Sequence, residues 1–181
     1  MRTCEWCGVS VVSKRADAKY CSSAHRIYAH RAQKASGGIP AEMLRRDRWV
    51  RYAPNKVPLR VNGHAASSTD PRTWSSHAAA VASRAGVGLG FVLGDGIGCL
   101  DLDHCILDGE LSPAALEHVA YYPGSYIEIS PSGDGLHIWG LLEEQPGKRY
   151  TGGGLSIERY SVGRYITVTG NVYQHGQLLP L

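Results

Sequence analysis

The side chains best suited to chemistry in this 181-residue sequence are acids set into apolar strands. In Ile97-Gly98-Cys99-Leu100-Asp101-Leu102-Asp103 two acids alternate with leucines, and strand side chains alternate faces with a period of two. Asp101 and Asp103 should therefore point one way while Leu100 and Leu102 face the core. The two acids start about 6.6 Å apart along a strand rising about 3.3 Å per residue, so their carboxylates can converge on one or two cations. A solvated strand end with incidental acids would read the same way, and the other polar insertions must decide. Glu158 follows Ile157 in another apolar stretch, and His137 follows the loop Pro131-Ser132-Gly133-Asp134-Gly135. A charge in a strand is costly unless it meets a partner, which all of these groups would have if they converge on one ligand. Three acids suit two divalent ions about 3.5 to 4 Å apart, which activate an attacking hydroxyl and stabilise the leaving oxygen of an in-line phosphoryl displacement. His137 has no metal-ligand spacing. The small residues before it let backbone N–H groups approach an anion, so it suits the phosphates of a nucleotide.

A second constellation opens the chain. Cys4-Glu-Trp-Cys7 is followed after thirteen residues by Cys21-Ser-Ser-Ala-His25. Cys-x-x-Cys presents two thiolates from one tight turn, and Cys21 and His25 stand at helical i, i+4 spacing on one face. Four such ligands close a tetrahedral Zn²⁺ site with no position left for water or substrate, which makes it structural. His30 is a competing fourth ligand at looser spacing. Tyr20 to Arg26 resembles the second knuckle of small zinc ribbons, with His25 where those proteins carry cysteine.

Composition narrows the classes. Five cysteines, three of them near the N-terminus, favour metal ligation in a reducing compartment over a disulfide framework. No apolar run has the length of a membrane span and no signal-peptide pattern opens the chain, so a cytoplasmic protein without a membrane partner is expected. Residues 1 to 60 hold thirteen Lys or Arg against four acids, and residues 61 to 181 hold six against twelve. A basic head on an acidic body suggests a polyanion at the head. No Gly-x-x-x-x-Gly-Lys-Ser/Thr loop occurs, so no ATPase motor is expected.

The elements that must position these groups follow from pattern and punctuation. A short basic helix from His25 to Lys34 should end at Ser36-Gly37-Gly38-Ile39-Pro40, giving a zinc element at 1–35, a linker at 36–47 and a catalytic domain at 48–181. Trp49 to Tyr52 reads as a strand, Trp74 to Arg84 as a helix stopping near Gly86, and Ser112-Pro113 opens a helix to about Ala120. Trp74 and Trp139 read as core. Gly88–Leu93 and Ile97–Asp103 form a hairpin about Gly94-Asp95-Gly96, Tyr126–Ser130 pairs with Leu136–Gly140, and Leu155–Tyr160 pairs with Arg164–Thr169. Hairpins with helices between them predict an α+β fold with a mostly antiparallel sheet.

Asp101-Leu-Asp103, Ser130-Pro-Ser132-Gly-Asp-Gly135-Leu-His137 and Ile157-Glu158, followed by Gly163-Arg164 and Thr167-Val168-Thr169-Gly170, resemble the three motifs of the archaeo-eukaryotic primase superfamily. The similarity is nearest to phage and plasmid primase-polymerase domains and spans roughly residues 48 to 170, including Lys56-Val-Pro58 and Asp70-Pro-Arg-Thr-Trp74. It implies an RRM-like sheet, with Asp101, Asp103 and Glu158 as Mg²⁺ or Mn²⁺ ligands and His137 on the incoming nucleotide's phosphates. Ser132 and Arg164 fall where the family places further phosphate contacts, and Ser130 and Gly135 complete the expected nucleotide-binding set. The implied activity is template-dependent nucleotidyl transfer on single-stranded DNA with dNTPs or NTPs, in the host cytoplasm, alongside a helicase fused or separate. The basic head, with Trp6, Tyr20 and Tyr28, would grip the template strand or serve as a folding staple. A metal-dependent nuclease or phosphodiesterase uses the same acids, and an inactive zinc-dependent single-strand binding module is the non-enzymatic alternative.

Overall fold

The structure is a computed structural model that describes residues 2–4, 7–27 and 37–181. Trp6, Tyr28, His30 and most of the expected 25–34 helix lie outside the described residues. The chain divides into two compact units, Met1–Gly38 and Ile39–Leu181.

In the first unit a tight turn brings Cys4 back on the chain, with Cys4 N–H donating to the Val9 carbonyl at 2.7 Å and Gly8 N–H to the Cys4 carbonyl at 2.8 Å. Gly8 sits at φ +73°, where a side chain is rarely tolerated. Residues 23–27 are helical, and the Ser22 hydroxyl accepts from His25 N–H at 3.2 Å as an N-cap. That cap starts the helix early enough to put Cys21 and His25 side by side.

The second unit begins with α1 (Ala41–Leu44), β1 (Trp49–Tyr52), β2 (Pro58–Leu59), a 3-10 turn (Pro71–Thr73), α2 (His77–Ala82), β3 (Gly88–Val92) and β4 (Ile97–Asp103). It continues with β5 (Ile106–Leu107), β6 (Glu110–Leu111), α3 (Pro113–Ala120), β7 (Tyr126–Ile129), β8 (Leu136–Leu141), β9 (Lys148–Gly152), β10 (Leu155–Tyr160), β11 (Tyr165–Val168), β12 (Val172–Gln174) and β13 (Leu179–Pro180). The fold is α+β and mostly antiparallel, but it holds two main sheets. One runs β11-β3-β1-β2; the other runs β12-β7-β8-β4-β10-β9, with β13 parallel beside the end of β8.

Two of the three expected hairpins are corrected. Strands β7 and β8 do pair directly. At Gly94–Ile97 the turn closes, with both carbonyls accepting across it and with Asp95 and Gly96 at positive φ, but β3 then joins β1 and β11 while β4 joins β8 and β10. The chain crosses between the same sheets again at 161–164, so β10 and β11 do not pair either. Leu93 N–H donates to the Arg164 carbonyl at 2.9 Å and ties the two crossovers together. The reason lies in the core. Phe91 of the smaller sheet packs edge-on against Trp139 of the larger one with ring centroids 6.1 Å apart, and burying these rings between two facing sheets requires β3 and β4 to part at the turn.

That inter-sheet core also contains Trp49, Cys99, Tyr126, Ile39 and Met43. Residues 39–44 are therefore part of the body, not a linker: Met43 is fully buried and its carbonyl accepts from Trp49 Nε1 at 3.0 Å. On the opposite face of the larger sheet, Leu100, Leu102, Ile127, Ile138 and Ile157 pack with Ala115 and Val119 of α3. Ser112 caps α3 through Ala115 N–H and Pro113 takes the first turn, whereas α2 is shorter than expected because Ser76, not Trp74, is its cap. Trp139 is core, but Trp74 is only half-buried, with Arg48 4.5 Å over its ring.

Candidate functional site

Strand register assembles the site. Glu158 of β10 lies opposite Asp101 of β4, Asp101 opposite His137 of β8, and His137 opposite Glu128 of β7. Directly opposed residues share a face, so these four side chains form one row across four strands. Arg149 of β9 extends the row beyond Glu158. The row one step toward the other strand end, Tyr160, Cys99, Trp139 and Tyr126, runs under the smaller sheet. The acids thus stand where that cover ends. Arg149 at one end of the row is 68% exposed, Glu158 and Asp101 are partly buried at 18% and 23%, and His137 and Glu128 at the other end are buried at 4% and 0%.

Each group in the row has a polar neighbour. His137 Nε2 is 3.7 Å from Asp101 Oδ1, and its Nδ1 is 3.2 Å from Glu128 Oε1. The Tyr160 hydroxyl donates to Glu158 Oε2 at 2.7 Å, and Arg149 Nε stands 3.5 Å from the other Glu158 oxygen. The Asp101 carboxyl is held above the usual range, chiefly by burial; His137 and Lys56 pull it back down while Asp103 and Glu158 push it further up. Asp103 shares the face at the strand end, opposite Ser156. The three expected metal acids therefore meet on one face. Glu158 is held by Tyr160 on one oxygen and Arg149 on the other.

The loop before His137 is tied by its own hydroxyls. Ser130 Oγ lies 2.9 Å from Ser132 Oγ and accepts from Gly135 N–H at 3.2 Å, while the Ser132 hydroxyl donates to Asp134. The Ser132 bond and the His104 ring, 2.6 Å away, lower the Asp134 carboxyl below the usual range. His104 itself is exposed, and Cys105 is buried packing. Gly135 is required by space, since a Cβ there would stand 2.6 Å from the Leu102 carbonyl oxygen of β4. The loop is thus pressed against the strand that carries the acids.

Beside Glu158 a cleft of about 400 Å³ is lined by Lys148, Arg149, Tyr160 and Arg164. The Arg164 guanidinium carbon lies 4.1 Å over the Tyr160 ring, so one tyrosine touches both Glu158 and Arg164. Lys148 and Arg149 escape a sequence reading because they sit on an exposed strand with no apolar alternation. Glu128 escapes it too, although Tyr126-Ile-Glu128-Ile129 inserts an acid into apolar sequence just as Ile157-Glu158 does.

In the first unit, Cys4, Cys7, Cys21 and His25 have ligand atoms all within 4.8 Å of one another. Cys7 and Cys21 sulfurs are 3.7 Å apart, close to the roughly 3.8 Å that tetrahedral geometry gives two sulfurs each about 2.3 Å from zinc. His25 Nδ1 is 3.0 Å from Cys21 Sγ and 3.8 Å from Cys4 Sγ. A Cys₃His set of this geometry could hold a structural zinc.

No protein-family profile matches the chain. It is 40% identical over 139 residues to the DNA primase-polymerase of Nitratiruptor phage NrS-1, an alignment covering 69% of this chain and 19% of that protein. The chain thus spans about a fifth of the length of the curated relative it matches. No helix among the described residues is long and apolar enough to cross a membrane.

Proposed function

We propose that this chain is a template-dependent nucleotidyltransferase, a DNA primase-polymerase that makes primers or extends them on single-stranded DNA from dNTPs, NTPs or both. The observation that carries the reading is the row of Glu158, Asp101 and His137 on one sheet face, ending in a cleft lined by Lys148, Arg149 and Arg164. Carboxylates that can hold divalent ions, next to cations that can hold a triphosphate, are the two halves of a phosphoryl-transfer site. The similarity to a phage primase-polymerase supports the same choice.

Mg²⁺ or Mn²⁺ held by Asp101, Asp103 and Glu158 would supply charge neutralisation and lower the pKa of the attacking hydroxyl. Burial of the Asp101 carboxyl makes it favour a cation over exposure of a bare charge. Tyr160 holds Glu158 through its hydroxyl and presents Arg164 from its ring. His137 Nε2 meets the nucleotide's phosphates, with Ser132 and Arg164 as further contacts, while the N–H groups of Ser130, Gly133 and Gly135 hold the loop itself in shape. The primer 3′-hydroxyl attacks the α-phosphate, the bond to the bridging β-phosphate oxygen breaks, and pyrophosphate departs. Catalysis is then largely positioning and charge complementarity.

In this reading the larger sheet and α3 form an RRM-like catalytic core, and Cys4, Cys7, Cys21 and His25 hold a structural Zn²⁺ in a basic element that meets the template strand. Action in a host cytoplasm, with a helicase fused or separate, belongs to the same proposal. The test is extension of a labelled primer on single-stranded DNA with dNTPs or NTPs and Mg²⁺ or Mn²⁺, wild type against Asp101→Ala/Asp103→Ala, with a no-primer lane. Product from wild type alone supports the polymerase, and the no-primer lane decides primase activity. Asp101-dependent shortening of the DNA would replace the reading with a phosphodiesterase, and DNA binding without turnover would replace it with a binding module.

A further inference from the structure

The fully buried Glu128 carboxylate on β7 is a charge that the proposed reaction leaves unused. Its two oxygens divide their partners. Oε1 accepts from Trp139 Nε1 and meets His137 Nδ1, both at 3.2 Å. Oε2 accepts from the Tyr126 hydroxyl at 3.0 Å, from the backbone N–H groups of Thr169 and Gly170 at 3.1 and 2.9 Å, and from the Thr169 hydroxyl at 3.3 Å. Indole and backbone N–H groups only donate, so both oxygens serve as acceptors, and the proton between His137 and Glu128 is assigned to Nδ1 on that ground.

With Nδ1 held, Nε2 is the ring atom left to turn toward Asp101, 3.7 Å away. Trp139 packs edge-on against the same ring with centroids 6.3 Å apart, fixing its plane. A buried acid is a costly way to fill space, because an apolar residue of similar volume would pack without desolvation. Besides Tyr126 on its own strand, its donors lie on two segments far apart in sequence, the strand bearing His137 and the Thr169-Gly170 turn after β11.

We infer that Glu128 is a positioning residue that holds the His137 imidazole by its Nδ1–H, so that Nε2, the nitrogen that must gain a second proton to donate to a phosphate oxygen, faces an incoming nucleoside triphosphate, while its second oxygen anchors the ring to Thr169-Gly170. The nucleotide half of this inference rests on the proposed function; the orientation of His137 does not.

Side-chain nitrogen NMR of His137 in the full, zinc-loaded chain tests the orientation. The wild type should carry its slowly exchanging proton on Nδ1. Glu128→Gln should lose that preference, and Thr169→Val, which removes one donor from the other oxygen, should keep it. Titration with a dNTP and Mn²⁺ should show about tenfold weaker binding for Glu128→Gln, the low end of the loss found when the carboxylate behind a metal-binding histidine is removed. Affinity for single-stranded DNA should not change, and Glu128→Gln should add nothing in a His137→Ala background. A nucleotide-free wild type with its proton on Nε2 in place of Nδ1, a tautomer indifferent to Glu128→Gln, or additive losses in the double variant would overturn the inference. Should Glu128→Gln not fold, the wild-type proton position still decides. A wild type that binds no nucleotide, yet keeps its Nδ1 proton on Glu128, would refute the proposed function and leave the positioning of His137 standing.

Discussion

The two candidate sites of this chain are assembled over different ranges of sequence. The Cys₃His cluster is made by a turn, an N-cap and one helical step, so its ligands come together from residues within 4–25. The acid row needs four strands in register, drawn from residues 101 to 158. A locally encoded site survives as long as its own short segment is folded, whereas a register-encoded site fails with any slip, since a one-residue shift turns every side chain to the other face.

The largest effect expected from breaking this contrast is at Asp101. Asp101→Asn should cut primer extension by about a thousandfold, several kcal/mol of transition-state stabilisation. The same change should raise the thermal midpoint of the metal-free protein near neutral pH. The folded Asp101 carboxyl titrates above its unfolded value, so its favourable contribution is complete below the unfolded pKa and is lost as pH rises through the folded one. Melting wild type and Asp101→Asn from acid to neutral pH should therefore show wild type losing ground as pH rises, and parallel curves would refute the sign. Added Mn²⁺ should recover the difference in wild type alone.

Next in size is zinc removal. Chelation should expose residues 7–27 to proteolysis while the melting transition of residues 39–181 stays in place, because the four ligands belong to the first unit. Unchanged proteolysis would count against the metal. A smaller effect is expected at Gly135, where Ala would press its Cβ on the Leu102 carbonyl. Overpacking of this kind costs about 1–3 kcal/mol, read by denaturant unfolding, and should weaken nucleotide binding without touching zinc content. The smallest is Tyr160→Phe, which keeps the ring under Arg164 and removes the hydroxyl from Glu158. Glu158 keeps Arg149 as a partner, so the loss is that of an ordinary hydrogen bond, about 0.5–1.5 kcal/mol, which predicts a roughly two- to tenfold fall in kcat with the KM for nucleotide little changed. A rise in KM alone would move Tyr160 from the acid's support to the nucleotide's.

Local signals were legible wherever the controlling physics is local. Ser112-Pro113 announces α3, Gly94-Asp95-Gly96 announces a turn with positive φ, and alternation in β4 separates Leu100 and Leu102 from Asp101 and Asp103. The sheet switch at that turn was not legible, because a period of two says which face a side chain takes and not which strand lies beside it. Glu128 was missed for a related reason: within Tyr126-Ile-Glu128-Ile129 it reads as one more outward-facing acid, and only the pairing with β8 and the return of Thr169-Gly170 enclose it.

Residue type and spacing thus determined which groups could bind cations, which strands carry them, and that four N-terminal ligands suit one zinc. Tertiary structure alone decided that the strands of two expected hairpins belong to different sheets, that Arg149 and Lys148 border the acid row, and that a buried carboxylate stands behind His137. Spacing along a chain is set by covalent geometry, whereas neighbours across a sheet are chosen by burial of Trp49, Phe91, Tyr126 and Trp139 in one inter-sheet core.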